Sequence, residues 1–87
     1  HGAIDRLIVT QDVVTAVDYK SNRMVPATPA EVPEGILRQM AAYVCALERI
    51  YPNRTIKAAV LYTHTPSLFE LSDDTLAPHK RSLLGVE

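Results

Sequence analysis

Several residue types are scarce in this 87-residue chain, and each scarcity excludes a class of protein. Cys45 is the single cysteine, so no disulfide can form within the chain and a disulfide-stapled secreted scaffold is excluded. No apolar run reaches the ~20 residues of a membrane-spanning helix, and we expect neither a membrane partner nor a signal peptide. This pattern favours a reducing, cytoplasmic location.

A strong excess of charge of one sign is also missing. Nine basic and ten acidic side chains give a net charge of −1 and a pI of about 6.3. These values exclude a protein that holds DNA by a broad basic surface alone. They leave room for an enzyme that touches a few phosphates beside a metal ion, with most of the DNA contact elsewhere in a larger protein.

The remaining composition is that of a small folded unit. Hydrophobic residues make up 47% of the chain and charged residues 22%, which favours a globular protein over a disordered one. The chain begins with His1, not methionine, which suggests a processed product or a fragment. We interpret residues 1–87 as a partial single domain.

Apolar periodicity predicts an α/β (α+β) fold. It indicates a hairpin over 4–20, a helix over about 34–51, strands over about 55–63 and 67–71, and a tail over 72–87. The helix would be the long crossover in a mixed sheet of about four strands. The second hairpin strand is apolar on both faces, which predicts a strand covered on both sides.

Helical spacing gives the long helix one predicted apolar stripe. Its members are Ile36, Met40, Tyr43, Leu47 and Ile50. Cys45 lies in the same apolar pattern, and we interpret it as a small core residue. Pro52 and Asn53 predict the end of the helix.

The connecting segments carry weaker signals. Thr28-Pro29-Ala30-Glu31 has the form of a capping box and predicts a brief helical turn. Ser72 is a plausible start for a short helix in the tail, with Pro78 in or near its first turn. His64 and His79 form no metal-ligand spacing, and we interpret both as surface residues.

The hairpin makes a geometric prediction. If Gln11-Asp12 is a two-residue loop, Asp5 faces Asp18 across the pair of strands. Lys20 shares that face because side chains alternate along a strand. Directly opposed residues have Cβ atoms about 4.5–5.5 Å apart, so the two carboxylates repel each other unless something relieves them.

A divalent cation is one group that would relieve this repulsion. Mg²⁺ prefers hard oxygen ligands, commonly one or two carboxylates with water and phosphate. A metal there would activate water and neutralise a phosphodiester oxygen, with Lys20 beside it. The alternative is that Asp5 simply reaches water at a strand end, while Asp18 and Lys20 form a solvated pair.

Three short motifs, taken in order, carry a family resemblance. They are Gly2-x-x-Asp5-Arg6, Asp18-Tyr19-Lys20 and Gln39-x-x-x-Tyr43. Together they resemble the RecB family of the PD-(D/E)XK nuclease superfamily. Residues 25–33, followed by 38–43, look more specifically like the C-terminal end of AddA-type helicase-nuclease subunits. The resemblance covers roughly residues 2–71.

The resemblance implies a role for each matching residue. Asp5 and Asp18 match the metal-binding acids of the family, and the backbone carbonyl of Tyr19 matches a further ligand. Lys20 matches the catalytic lysine. The implied cofactor is Mg²⁺, with Mn²⁺ as a substitute.

The resemblance also implies roles for the residues of the third motif and a function for the larger protein. Gln39 and Tyr43 match helix residues that support the site and contact DNA. The implied function is a metal-dependent DNA exonuclease domain of a helicase-nuclease in double-strand-break repair and recombination. Its partners would be DNA and a second, AddB-like subunit. The family also has an earlier helical part that contributes another ligand, a role we do not assign to His1. The chain alone is therefore expected to be catalytically silent.

Two other functions stay open at this point. A nuclease fold kept only for DNA binding or subunit packing has the same pattern, because fold does not guarantee activity. A purely structural domain with no nucleic-acid role is the second alternative. DNA binding without cleavage by the complete domain would favour the first alternative. A calcium or manganese titration that leaves the signals of Asp5 and Asp18 unmoved would favour the second.

Overall fold

The computed structural model describes residues 4–85 as one sheet with two helices. The elements are β1 (Arg6–Val9), β2 (Val13–Lys20), α1 (Glu34–Ile50), β3 (Thr55–Tyr62), β4 (Ser67–Leu71) and α2 (Asp73–Leu83). The predicted element order is confirmed. The interpretations of His1 and Gly2 lie outside the described residues.

The four strands form a mixed sheet in the order β1-β2-β3-β4. β1 and β2 are antiparallel, as are β3 and β4, whereas β2 and β3 run parallel with α1 as their crossover. The parallel register runs from Val13 opposite Thr55 to Lys20 opposite Tyr62. The predicted mixed sheet with a long crossover helix is therefore confirmed.

The hairpin loop contains two residues, as predicted. The Thr10 backbone N–H donates to the Val13 carbonyl at 2.8 Å, and the Thr10 hydroxyl oxygen accepts from the Val13 N–H at 3.1 Å. Among residues 4–85, no residue other than glycine has positive φ, so this is not a type I′ turn. The register runs to Arg6 opposite Val17, which matches the predicted pairing.

The core lies between α1 and one face of the sheet. It includes the buried residues Val14, Ala16, Ala58, Val60, Leu71, Leu37, Met40, Ala41, Val44, Leu47 and Leu76. The predicted helix stripe is therefore partly wrong, because Leu37 and Val44 are buried whereas Ile50 is 65% exposed. Ile50 is the last residue of α1 and is not among the buried residues of this core. Cys45 is half-buried, not a core residue.

The short helix α2 begins as its sequence predicts. The Ser72 hydroxyl oxygen accepts from the Thr75 N–H at 3.1 Å, a typical N-cap contact. Pro78 lies beyond the predicted first turn, inside the helix, where it removes one backbone donor. An exposed ion pair of 3.1 Å between Lys80 and Glu48 ties α2 to α1.

The smaller sequence signals have mixed outcomes. A 3-10 turn forms over Pro29–Glu31, as predicted, but Thr28 makes no side-chain cap. Glu31 instead accepts from the Ala27 N–H at 3.1 Å. His64 is exposed as expected, whereas His79 is half-buried.

The sheet face opposite α1 is only partly covered by the described residues. Val17 is buried on that face, whereas Ile8 and Tyr19 are exposed. The expectation that β2 is covered on both sides holds only on the α1 side. Across residues 4–85, no helix has the length and apolar character needed to cross a membrane.

Candidate active site

Two aspartates meet at the open end of the hairpin. Asp5 precedes β1 by one residue, and the β1–β2 register continues to place it opposite Asp18. One Asp5 carboxylate oxygen accepts from the Tyr19 backbone N–H at 2.7 Å, which holds Asp5 against β2. Asp5 is exposed, but Asp18 is only 4% exposed. One carboxylate therefore faces solvent while its neighbour is enclosed.

Lys20 accompanies the buried aspartate. Its Nζ lies 3.0 Å from Oδ2 of Asp18, close enough for an ion pair. That oxygen is nevertheless buried without a well-aligned hydrogen-bond partner. Buried polar atoms are nearly always satisfied, so such an atom requires an explanation. An additional cation at Asp18 would provide one.

The electrostatics of Asp18 are unfavourable in the absence of a bound cation. Burial raises the pKa of Asp18 above its ordinary 3.8, because the charged form is desolvated. Lys20 opposes this increase, and the Asp5 carboxyl group adds to it. The net direction is upward, so Lys20 does not fully offset the burial of Asp18 and its repulsion from Asp5. A second positive charge at this position would be strongly attracted.

Replacing Asp18 with asparagine should stabilise the chain at neutral pH when no metal is present. A raised folded-state pKa means that the folded chain binds protons more tightly than the unfolded chain, so stability falls as pH rises from 3.8 through the raised pKa. The asparagine variant escapes that loss. We therefore expect a higher Tm for the variant than for the wild type at pH 7.

Thermal melts followed by circular dichroism in EDTA would measure this gain. The difference between variant and wild type should shrink at pH values below 3.8, where both side chains are neutral. Asp12→Asn in the exposed hairpin loop is the matched control and should change Tm little. A lower Tm for Asp18→Asn than for wild type at pH 7 would contradict the assigned electrostatics.

Helix α1 brings two polar side chains to the carboxylates. Gln39 Nε2 donates to the Tyr43 hydroxyl oxygen at 3.1 Å, which joins residues one helical turn apart. Burial raises the pKa of Tyr43, and the charges of Asp18 and Asp5 raise it further. The phenol of Tyr43 therefore lies within electrostatic range of both acids. Gln39 and Tyr43, the two residues of the third motif, therefore lie side by side on α1.

Two residues at the end of β3 were missed by the sequence reasoning. The Thr63 backbone N–H donates to the Lys20 carbonyl at 2.8 Å, and its hydroxyl donates to the same oxygen at 3.3 Å. Tyr62 lies directly opposite Lys20 and is 1% exposed. Their position beside Lys20 follows only from the register between β2 and β3. Helix α1 separates these two strands in the chain, so no local pattern gives that register.

Comparison with known proteins identifies the family of this chain. A family model described as the PD-(D/E)XK nuclease superfamily matches residues 1–82. The chain belongs to the PD-(D/E)XK nuclease superfamily.

A curated relative of this PD-(D/E)XK chain is an ATP-dependent helicase/nuclease subunit from Oenococcus oeni. The two are 31% identical over 61 residues, which cover 70% of this chain and 5% of that relative. The chain thus corresponds to a small part of the relative's length. No solved structure matches the chain.

The donor atoms of this PD-(D/E)XK chain fit a hard divalent cation. Residues 4–85 contain no group of three or more histidine, cysteine, aspartate or glutamate side chains suited to a metal. The available oxygens are the two opposed carboxylates and nearby backbone carbonyls. Mg²⁺ binds proteins through such small sets and keeps several waters or substrate phosphates. The unsatisfied buried oxygen of Asp18 is the observation that supports this fit.

Proposed function

We propose that the chain is the C-terminal part of a nuclease domain in an AddA-like helicase-nuclease, and that this domain hydrolyses DNA phosphodiester bonds with Mg²⁺. The observation that carries the proposal is the enclosed Asp18 carboxylate, with one unsatisfied oxygen, opposite Asp5 and 3.0 Å from Lys20. Superfamily membership and the similarity to a helicase/nuclease protein support it.

In this proposal, Asp5, Asp18 and the backbone carbonyl of Tyr19 hold the cation. When bound, the ion neutralises charge on the phosphate and lowers the pKa of a coordinated water. Asp5 is already oriented by its 2.7 Å contact with the Tyr19 N–H, which uses one carboxylate oxygen and leaves the other for the metal. Mn²⁺ would substitute because it also accepts oxygen ligands.

Lys20 would act on the reacting phosphodiester. Its ammonium group is positioned by a strand end that Thr63 fixes through two contacts to the Lys20 carbonyl. From there it would orient the attacking water and stabilise the negative charge that develops on the phosphate oxygens. Water attacks phosphorus and gives up a proton to solvent, the bond to the leaving oxygen breaks, and that oxygen takes a proton from solvent.

Gln39 and Tyr43 would support the site from α1. Their mutual hydrogen bond of 3.1 Å restricts the Tyr43 side chain beside the acids. An oriented phenol within electrostatic range of Asp5 and Asp18 would offer a polar contact to a DNA strand.

The parent protein would act in double-strand-break repair and recombination in the cytoplasm, with DNA and an AddB-like protein as partners. The site geometry does not bear on this part of the proposal, which rests on the RecB-type motif resemblance together with the similarity to a helicase/nuclease protein. Because the net charge of this chain is −1, other parts of the parent protein would supply most of the DNA contact.

A nuclease-fold module that binds DNA or another protein chain without cleavage is the second candidate. It is favoured by one observation: residues 4–85 contain no group of three or more histidine, cysteine, aspartate or glutamate side chains that could hold a metal. The two candidates make different predictions for the complete domain, since only the first requires hydrolysis.

Cleavage by the AddA-like protein proposed to carry this chain should depend on a divalent cation. We expect end-labelled linear DNA to be shortened with Mg²⁺ or Mn²⁺ and to remain intact in EDTA, because the bound ion is what activates the attacking water in this proposal. Covalently closed circular DNA is the control for exonuclease action and should persist. DNA binding without shortening in Mg²⁺ would favour the second candidate, and undiminished cleavage in EDTA would contradict the metal site.

A further inference from the structure

We propose that the Tyr62 hydroxyl is a second acceptor for the Lys20 ammonium group, and receives it when a divalent cation occupies Asp18. Tyr62 would thus be a positioning residue with no assigned role in the matching motifs. The inference rests on the proposed function, because it concerns what Lys20 does once the metal is bound.

The need for a second acceptor follows from the present position of Lys20. Its Nζ lies 3.0 Å from Oδ2 of Asp18, the oxygen that is otherwise unsatisfied. A cation binding that carboxylate would compete for the same oxygen and repel the ammonium group. Lys20 must then move away from Asp18, and its partly buried ammonium group requires a new hydrogen-bond acceptor.

Tyr62 occupies a suitable place for that acceptor. It is paired with Lys20 in the parallel register, so both side chains project from the same face of adjacent strands. Its ring is held edge-to-face against Phe69, with centroids 5.8 Å apart and planes at 76°. A ring that is 1% exposed and packed in this way keeps its hydroxyl in a fixed position.

The Tyr62 phenol keeps its proton at this position. Burial raises the pKa of Tyr62, Lys20 lowers it and Asp18 raises it. The phenol therefore stays neutral at physiological pH and can accept a hydrogen bond from an ammonium group. It offers an acceptor without adding a third negative charge to the site.

Other polar groups near Lys20 already have hydrogen-bond partners. The Tyr43 oxygen accepts from Gln39 Nε2, and the exposed Thr63 hydroxyl is used as a donor to the Lys20 carbonyl. Asp5 holds the Tyr19 N–H and would itself bind the cation. Tyr62 is the polar group that the sheet register places directly beside Lys20.

A calcium titration of the 87-residue chain by calorimetry would test this role without relying on catalysis. In Tyr62→Phe the displaced ammonium loses its acceptor, so calcium should bind about 10- to 150-fold more weakly, as expected for one hydrogen bond to a charged group. In a Lys20→Met background no ammonium is displaced. Adding Tyr62→Phe there should change calcium affinity less than about twofold.

Two controls separate this role from a structural one. Tyr51→Phe removes another partly buried phenol, at the opposite end of the sheet, and should leave calcium affinity unchanged. Tyr62→Phe keeps the ring contact with Phe69, so its metal-free Tm should stay near wild type. Equal weakening by Tyr62→Phe with and without Lys20 would assign Tyr62 a structural role and overturn the inference.

A measurement on the wild-type chain covers the case in which Tyr62→Phe folds poorly. Calcium should produce a nuclear Overhauser contact between the Lys20 side-chain terminus and the Tyr62 ring that is absent in EDTA. Calcium binding without this contact overturns the inference and leaves the proposed function standing. If the wild-type chain binds no calcium, both the proposed function and this inference fail.

Discussion

Replacing Asp18 with alanine should lower DNA cleavage by the AddA-like protein by about 10³-fold or more, as expected when a central group of a catalytic unit is removed. The variant loses the enclosed carboxylate and its unsatisfied oxygen, and with them the proposed metal ligand set. Single-turnover cleavage of end-labelled DNA with saturating Mg²⁺ would measure the rate. Calcium binding to the 87-residue chain should be lost in parallel.

Lys20→Met is the informative companion variant. Cleavage should fall by about 10²–10³-fold, because the group proposed to stabilise developing charge is gone. Calcium should bind more tightly than to wild type, however, since the ammonium that competes for Asp18 at 3.0 Å has been removed. The two variants thus share a loss of cleavage but differ in the sign of their effect on metal affinity. Asp18→Ala with a cleavage rate near wild type would refute the site.

Replacing Met40 with alanine should destabilise the fold by about 2–5 kcal/mol, the range for truncating a large buried side chain. Met40 is fully buried between α1 and the sheet, so truncation leaves a cavity that the surrounding core cannot fill completely. A chain of 87 residues has only a few kcal/mol of stability in reserve, so a large fraction should unfold at 37 °C.

Urea denaturation followed by circular dichroism would measure this loss. Met24→Ala makes the same chemical change at a side chain that is 88% exposed, and it should alter the free energy of unfolding by less than about 0.5 kcal/mol. Similar effects of the two substitutions would show that Met40 does not anchor the core as described.

The local geometry of the site can be predicted from residue spacing. The two-residue loop and the period of two along each strand place Asp5 opposite Asp18, with Lys20 on the same face, and the observed register agrees. Spacing by four residues likewise places Gln39 beside Tyr43, where a 3.1 Å hydrogen bond forms. These relations depend on contacts between residues close in the chain, so periodicity is sufficient to predict them.

Features that depend on packing could not be predicted in this way. Whether Ile50 or Val44 faces the core depends on how α1 is rotated and positioned over the sheet, and the apolar stripe was too broad to specify this. The burial that raises the pKa of Asp18 depends on contacts between segments that α1 separates in the chain. The parallel register that brings Tyr62 to Lys20 depends on such contacts as well. Such long-range pairings are selected by the free energy of the whole core, and no local pattern encodes them.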